Sequence, residues 1–214
     1  MQYFGKGGAA SGKAGGGASS YQEIEDDSVL QQQVWDWVDS LEIDEENSVV
    51  KYTGGSYYKW NYDLRNDNLE NSSFKEYTPQ LDAALSKFTL DRNITTYRGI
   101  DSDAVSALTG MDISADDPKG AVSVINGSLK GAIISDKGYL STSVSRQKAY
   151  GFSDNYMLRV HTPKGKGHGA YVKSLSQYAS EKEFLMPRGS HLKVQKASYD
   201  TRMGVCLIDV KYVK

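Results

Sequence analysis

Apolar residues recur at helical spacing through the first half of this 214-residue chain and at every second position in much of the second half. No other feature constrains the fold as strongly, because a 3.6-residue period and a two-residue period bury different faces. Glu25-Asp26-Asp27-Ser28 supplies acidic and capping residues ahead of Val29, Leu30, Val34, Trp37, Val38 and Leu41, which share one helical face; Trp35 falls off it. Tyr57 to Arg65 reads as a second helix, with Gly54-Gly55-Ser56 as breaker and cap. A third begins at Thr78-Pro79, with Pro at the first helical position and Leu81, Ala84, Leu85 and Phe88 turned inward. Residues 101–108 form a fourth candidate. Alternation marks strands at 94–98, 156–161, 192–195 and 205–210. Helices first and strands later specify an α+β fold with a mostly antiparallel sheet system.

Composition narrows the class. With 39% hydrophobic and 24% charged residues, the chain can bury a packed core. A net charge of −2 lacks the basic excess of a nucleic-acid or anionic-membrane binder, so neither partner is expected. No run of about 18 apolar residues is present, so no transmembrane helix is expected. A single cysteine, Cys206, excludes an intrachain disulfide and a Cys-cluster metal site. His161, His168 and His191 lack metal-ligand spacing, and His168 reads as a surface residue.

Seven of the 21 glycines fall in the first 17 residues, so residues 1–20 read as a flexible linker or tail and 21–214 as one folded domain. The leader lacks the apolar stretch of a Sec signal peptide. Within it, Gly7 to Gly12-Lys13 starts a phosphate loop, but Ala14 stands where a metal-binding Ser or Thr belongs and no strand precedes it. Gly165-Lys166-Gly167-His168-Gly169-Ala170 matches a dinucleotide-binding string, yet it leads to strand-like Ala170-Tyr171-Val172 and reads as a glycine-rich hairpin turn.

Four short segments carry the candidate chemistry. In Ser180-Glu181-Lys182-Glu183-Phe184, a strand would set Glu181 and Glu183 side by side with Phe184 on the opposite face. Carboxylates that close raise each other's pKa unless a cation or a reaction uses them. Taken alone, the segment also reads as an exposed edge strand. Tyr139-Leu140-Ser141-Thr142-Ser143-Val144 puts three hydroxyls into a strand-like run, which is common on exposed strand faces. Thr96-Tyr97-Arg98-Gly99 sets an arginine beside a glycine that permits close ligand approach; an ordinary surface arginine is the alternative. The fourth segment runs from Tyr52 through Asn61 to Arg65.

In this order, Arg, then Ser-Thr-Ser, then Glu-x-Glu, the segments resemble the arginine-specific mono-ADP-ribosyltransferases, most closely the clostridial-type actin-modifying toxins and their bacterial and phage relatives. The resemblance covers residues 52–196. Asn61-x-x-x-Arg65 looks like the family's helix ending, and Pro187-Arg188-Gly189-Ser190 with Leu192-Lys193-Val194 looks like its strand after Glu-x-Glu. The resemblance implies two roughly perpendicular, mostly antiparallel sheets with flanking helices around a cleft for NAD+, which is a substrate; no metal is implied.

It also implies roles. Glu183 would stabilise the oxocarbenium-like transition state at the nicotinamide ribose, held by Ser141, with Thr142 and Ser143 shaping the strand. Arg98 and Arg65 would meet the phosphates as guanidinium forks, with Asn61 beside them. Gly99 backbone groups would grip the carboxamide, and Phe152, eleven residues after Ser141, would stack on nicotinamide; a core Phe is the alternative. Glu181 would orient an acceptor arginine and take its proton; relatives that modify asparagine carry Gln there. Tyr178 matches the aromatic of the acceptor loop, or packs within it. The segment 151–155 lacks an arginine that some relatives carry after the stacking aromatic.

A monomer is expected, acting on a target protein through an arginine, with actin the leading candidate. Its length leaves room for one copy of the fold, where actin-targeting relatives often have two. Secretion or delivery into a host cytoplasm, or a phage-encoded intracellular origin, would fit. An NAD glycohydrolase and a non-catalytic interaction module of the same fold are the alternative readings.

Overall fold

The computed structural model describes residues 20–213, so the glycine-rich leader and its Gly7–Lys13 string lie outside the described residues except for Ser20. Helix α1 (Gln31–Val38) continues from a 3-10 turn, Asp27–Leu30, whose first N–H groups are capped by Asp26 accepting from Ser28. It buries Leu30, Val34 and Trp37, while Trp35 is 57% exposed. Nothing in the apolar spacing pointed to α2 (Ile43–Lys51), because its buried positions mix Val49 with Glu45 and Ser48. A reciprocal capping box between Glu42 and Glu45 starts it, and Asp44, Glu45 and Glu46 suit its positive end.

Helix α3 (Tyr57–Arg65) has the expected bounds but not the expected cap: Ser56 makes no capping bond, and a wide π turn, Tyr52–Ser56, runs into it with Gly55 at φ 99. Helix α4 (Tyr77–Lys87) starts one residue before Thr78, which moves Pro79 to its third position. Helices α5 (Ser102–Thr109), α6 (Pro118–Ser128) and α7 (Arg146–Tyr150) are capped by Asp101, Asp117 and Ser145.

The strands are β1 (Gln22–Glu23), β2 (Thr89–Leu90), β3 (Ile94–Ile100), β4 (Ile133–Ser135), β5 (Leu140–Ser143) and β6 (Tyr156–Thr162), then β7 (Gly165–Lys166), β8 (Ala170–Tyr171), β9 (Glu183–Met186), β10 (His191–Asp200) and β11 (Val205–Val213). One sheet runs β4-β10-β11-β6-β3-β5-β9-β8 with β1 beside β3, and β2 with β7 forms a second. All pairings are antiparallel except β11 with β6 and β1 with β3, in keeping with the α+β expectation. Strand β3 pairs with β6 along its whole length but its ladder with β5 has the single pair Tyr97↔Ser143, so the sheet divides there into two parts.

The glycine-rich stretch is not a hairpin. Its two ends pair with different strands, β7 with β2 and β8 with β9. At Gly169 (φ 126) a Cβ would stand 2.6 Å from the Leu185 carbonyl, so this approach requires glycine. His168 is not a free surface residue, since Nδ1 lies 3.0 Å from the Pro163 carbonyl and the ring packs on Tyr212. Burial of Cys206 pushes its thiol up to about 12, which keeps it protonated and inert.

One polar pairing locks α3 to α4, and a second locks α3 to the sheet. Trp60 stacks on Phe74 at 4.8 Å and donates Nε1 to Thr78. Asn61 treats β5 as a neighbouring strand would: its Nδ2 donates to the Tyr139 carbonyl (3.2 Å) and its Oδ1 accepts from Tyr139 N (2.9 Å). That pair of hydrogen bonds sets α3 against Tyr139, just ahead of β5 and two residues before the Ser-Thr-Ser run.

Candidate active site

A cavity of about 490 Å³ opens where β3 leaves β5, between α3 and the turn that precedes β9. Its size is within the ~300–1,000 Å³ range of ligand pockets. All ten site residues expected from the sequence line it: Asn61, Arg65, Arg98, Gly99, Ser141, Thr142, Phe152, Tyr178, Glu181 and Glu183.

Glu183 begins β9 directly opposite Ser143 on β5, and strand alternation turns Ser141 to the same face. It is only 8% exposed. Burial pushes its carboxyl up to about 7, against a hydrogen bond from Ser141 and the charge of Arg98, while Glu181 adds to the rise. The strand is not an edge, because β8 and β5 pair with it on both sides. Thr142 Oγ1 donates to the Phe184 carbonyl (2.7 Å), which ties β5 to β9 across the site.

Glu181 does not share a strand with Glu183. It ends a 3-10 turn, Ala179–Glu181, and Lys182 follows with left-handed backbone before β9 begins. The turn brings the two carboxylates to one cavity, where a strand would have set them on one face. Ser143 Oγ braces it by donating to the Glu181 carbonyl (2.6 Å). Burial raises the Glu181 carboxyl above its ordinary value, with Lys148 opposing.

Arg98 points from β3 across to β5, where Nη1 donates to the Ser141 carbonyl (2.7 Å), and burial lowers its pKa. Arg65 is held in a fork by Asp136, through Nε (2.8 Å) and Nη2 (2.6 Å), a pairing that the sequence spacing did not reveal. Gly99 admits no side chain, since a Cβ would stand 2.3 Å from the Ala149 carbonyl and 2.6 Å from the Phe152 carbonyl carbon. Phe152 is 62% exposed and Tyr178 51% exposed, so both stand at the cavity rather than in the core.

Tyr52 is the residue that sequence reasoning passed over. It opened the fourth segment, but only the π turn brings its buried phenol to the cavity, where it accepts from Asn61 Nδ2 (2.9 Å). Burial, reinforced by the Glu183 charge, raises its pKa, so the group beside Glu183 is a neutral hydrogen-bonding phenol.

Residues 28–213 match the model of the ADP-ribosyltransferase exoenzyme family. This chain belongs to the ADP-ribosyltransferase exoenzyme family. An NAD(+)–arginine ADP-ribosyltransferase of Enterococcus faecalis, EFV, is 29% identical over 170 residues, 74% of this chain but 30% of that relative's length. The fold matches C3stau2 from S. aureus, solved with NAD, at a TM-score of 0.77 and 22% identity, over 92% of this chain and 100% of that one. It also matches BECa, an ADP-ribosylating toxin of a C. perfringens binary enterotoxin solved with NADH, at a TM-score of 0.72 and 24% identity, over 90% of this chain and 50% of that one.

Proposed function

We propose that this exoenzyme-family domain is an NAD+–protein-arginine mono-ADP-ribosyltransferase, with actin the leading target. The observation that carries the reading is the convergence of Glu181, Glu183 and two arginines on one cavity. NAD+ is the substrate, with its pyrophosphate on Arg98 and on the Arg65 edge that Asp136 leaves open, and its nicotinamide between Phe152 and the Gly99 backbone. The glycosidic bond breaks with its electron pair going to the nicotinamide ring nitrogen. Positive charge then develops on the ribose, where the Glu183 carboxylate, kept in place by Ser141, stabilises it more in the transition state than in the ground state.

An arginine guanidinium must lose a proton to act as a nucleophile. Glu181 accepts that proton as a guanidine nitrogen bonds to the ribose carbon. A glycohydrolase would use water and leave Glu181 idle, which its position in the same cavity argues against. On this reading the domain acts as a monomer in a host cytoplasm, reached by secretion or delivery.

Labelled NAD+ incubated with actin and with a host-cell lysate tests the proposal. Wild type should label a protein band, at the mass of actin if actin is the target, and Glu183→Ala should label none. Nicotinamide release with no labelled band would turn the reading toward the glycohydrolase.

A further inference from the structure

One residue, Lys182, separates the two carboxylates, and its backbone is left-handed at φ 52, ψ 49. Side chains other than Asn and Asp rarely adopt that conformation, so surrounding contacts must hold it. On the β5 side, Val144 N donates to the Lys182 carbonyl (3.1 Å). On the other, the Lys182 ammonium donates to Asp27 Oδ1 (2.9 Å), a residue from the first 3-10 turn of the fold. Asp27 also accepts from Lys173 Nζ (2.7 Å) and from the Tyr171 hydroxyl (2.6 Å). Burial pushes the Asp27 carboxyl up, but Lys173, Tyr171 and Lys182 more than offset this and hold it well below the usual carboxylate range. Tyr171 pairs with Phe184 in the β8–β9 register, so Asp27 ties the chain's first turn to both sides of the reactive segment.

We propose that Asp27 is a positioning residue for transfer: it draws the Lys182 ammonium away from Glu181 and Glu183 and fixes the left-handed turn that aims Glu181. The inference rests on the transferase reading above. Its effect falls on Glu181, because Glu183 is already fixed by pairing with Ser143 and by Val172 N donating to its carbonyl (3.1 Å). Glu181 lies outside any strand, held by the turn and by Ser143 Oγ on its carbonyl, and the turn in turn depends on Lys182. Without Asp27, the freed ammonium can fold back on the neighbouring carboxylates and neutralise the acceptor base.

Asp27→Asn keeps the shape and removes the charge. Hydrogen exchange of the full chain should show amides in 178–184 exchanging about ten-fold faster while β10 and β11 are unchanged. With agmatine as a small guanidino acceptor, transfer should fall about ten-fold or more, while hydrolysis of NAD+ and its KM change less than about two-fold. Lys182→Gly in the Asp27→Asn background supplies the left-handed backbone without the loose ammonium and should restore transfer. Unchanged exchange at 178–184, a parallel loss of transfer and hydrolysis, or no restoration would each overturn the proposal. If wild type releases nicotinamide but modifies no guanidino acceptor, the arginine reading fails, and the exchange result still decides the role of Asp27.

Discussion

At the scale of single residues, the role proposed for Glu183 sets stability against reaction. Its carboxyl titrates near 7 in the fold and near 4.5 as an unperturbed glutamate. The folded state therefore holds the proton longer, and stability is lost as pH rises from about 4.5 through about 7. Glu183→Gln removes that loss: it should be more stable than wild type at pH 8, by about 3 kcal/mol at most, and equal to it at pH 4, as thermal unfolding at the two pH values would show. The same variant should lose NAD+ cleavage by about 1,000-fold, the size expected for removing one preorganised electrostatic group. In the proposed mechanism the charged form reacts, so kcat/KM of wild type for NAD+ should rise through about pH 7, a limb absent from any residual activity of Glu183→Gln.

The site residues were legible in sequence through their ordered resemblance to the ADP-ribosyltransferases; taken singly, Glu-x-Glu also reads as an exposed edge strand and Arg98 as a surface arginine. The partners were not legible. Asp136 on Arg65 and Tyr52 beside Glu183 come from elsewhere in the chain, and no local spacing encodes such contacts.

At the scale of elements, the site depends on how α3, β5 and the turn before β9 are fixed to one another. Asn61 lines the cavity, and its amide is also engaged by both backbone groups of Tyr139 and by the Tyr52 hydroxyl. Asn61→Ala leaves those buried groups unpaired, and should cost about 1–3 kcal/mol in a urea titration. It should also weaken NAD+ binding, since β5 would lose its attachment to α3. The Gly54-Gly55-Ser56 break located the start of α3 to the residue, although Ser56 makes no capping bond there. The Glu-x-Glu segment misled for an equally physical reason. Alternation assumes extended backbone at every position, and one left-handed residue, Lys182, breaks that assumption within a segment that otherwise reads as strand. Short α2 was invisible because its inward face is part polar and its capping box, Glu42 with Glu45, uses an unusual cap residue.

At the scale of the whole molecule, the cavity lies between the two parts of a sheet that meet at the single pair Tyr97↔Ser143. A dinucleotide that contacts both parts binds the folded state alone, so NAD+ should raise the unfolding free energy by about 2.7 kcal/mol at one hundred times its Kd. Arg98→Ala, which removes the cation reaching from one part to the other, should abolish most of that gain in a thermal-shift titration. Period marked α1 and α4 and the strands β3, β6, β10 and β11, while α2, α6 and α7 carried no readable repeat. The division of the sheet was not readable either, because it depends on where long-range pairing stops.

The most direct test of arginine transfer measures nicotinamide release from labelled NAD+ with and without agmatine, in wild type, Glu181→Gln and Glu183→Gln. Wild type should release nicotinamide faster with agmatine and form ADP-ribosylagmatine. Glu181→Gln should release it at a slow rate that agmatine does not change, and Glu183→Gln should release almost none. Formation of ADP-ribosylagmatine by Glu181→Gln at the wild-type rate would contradict the account, because the guanidine would then need no carboxylate at that position.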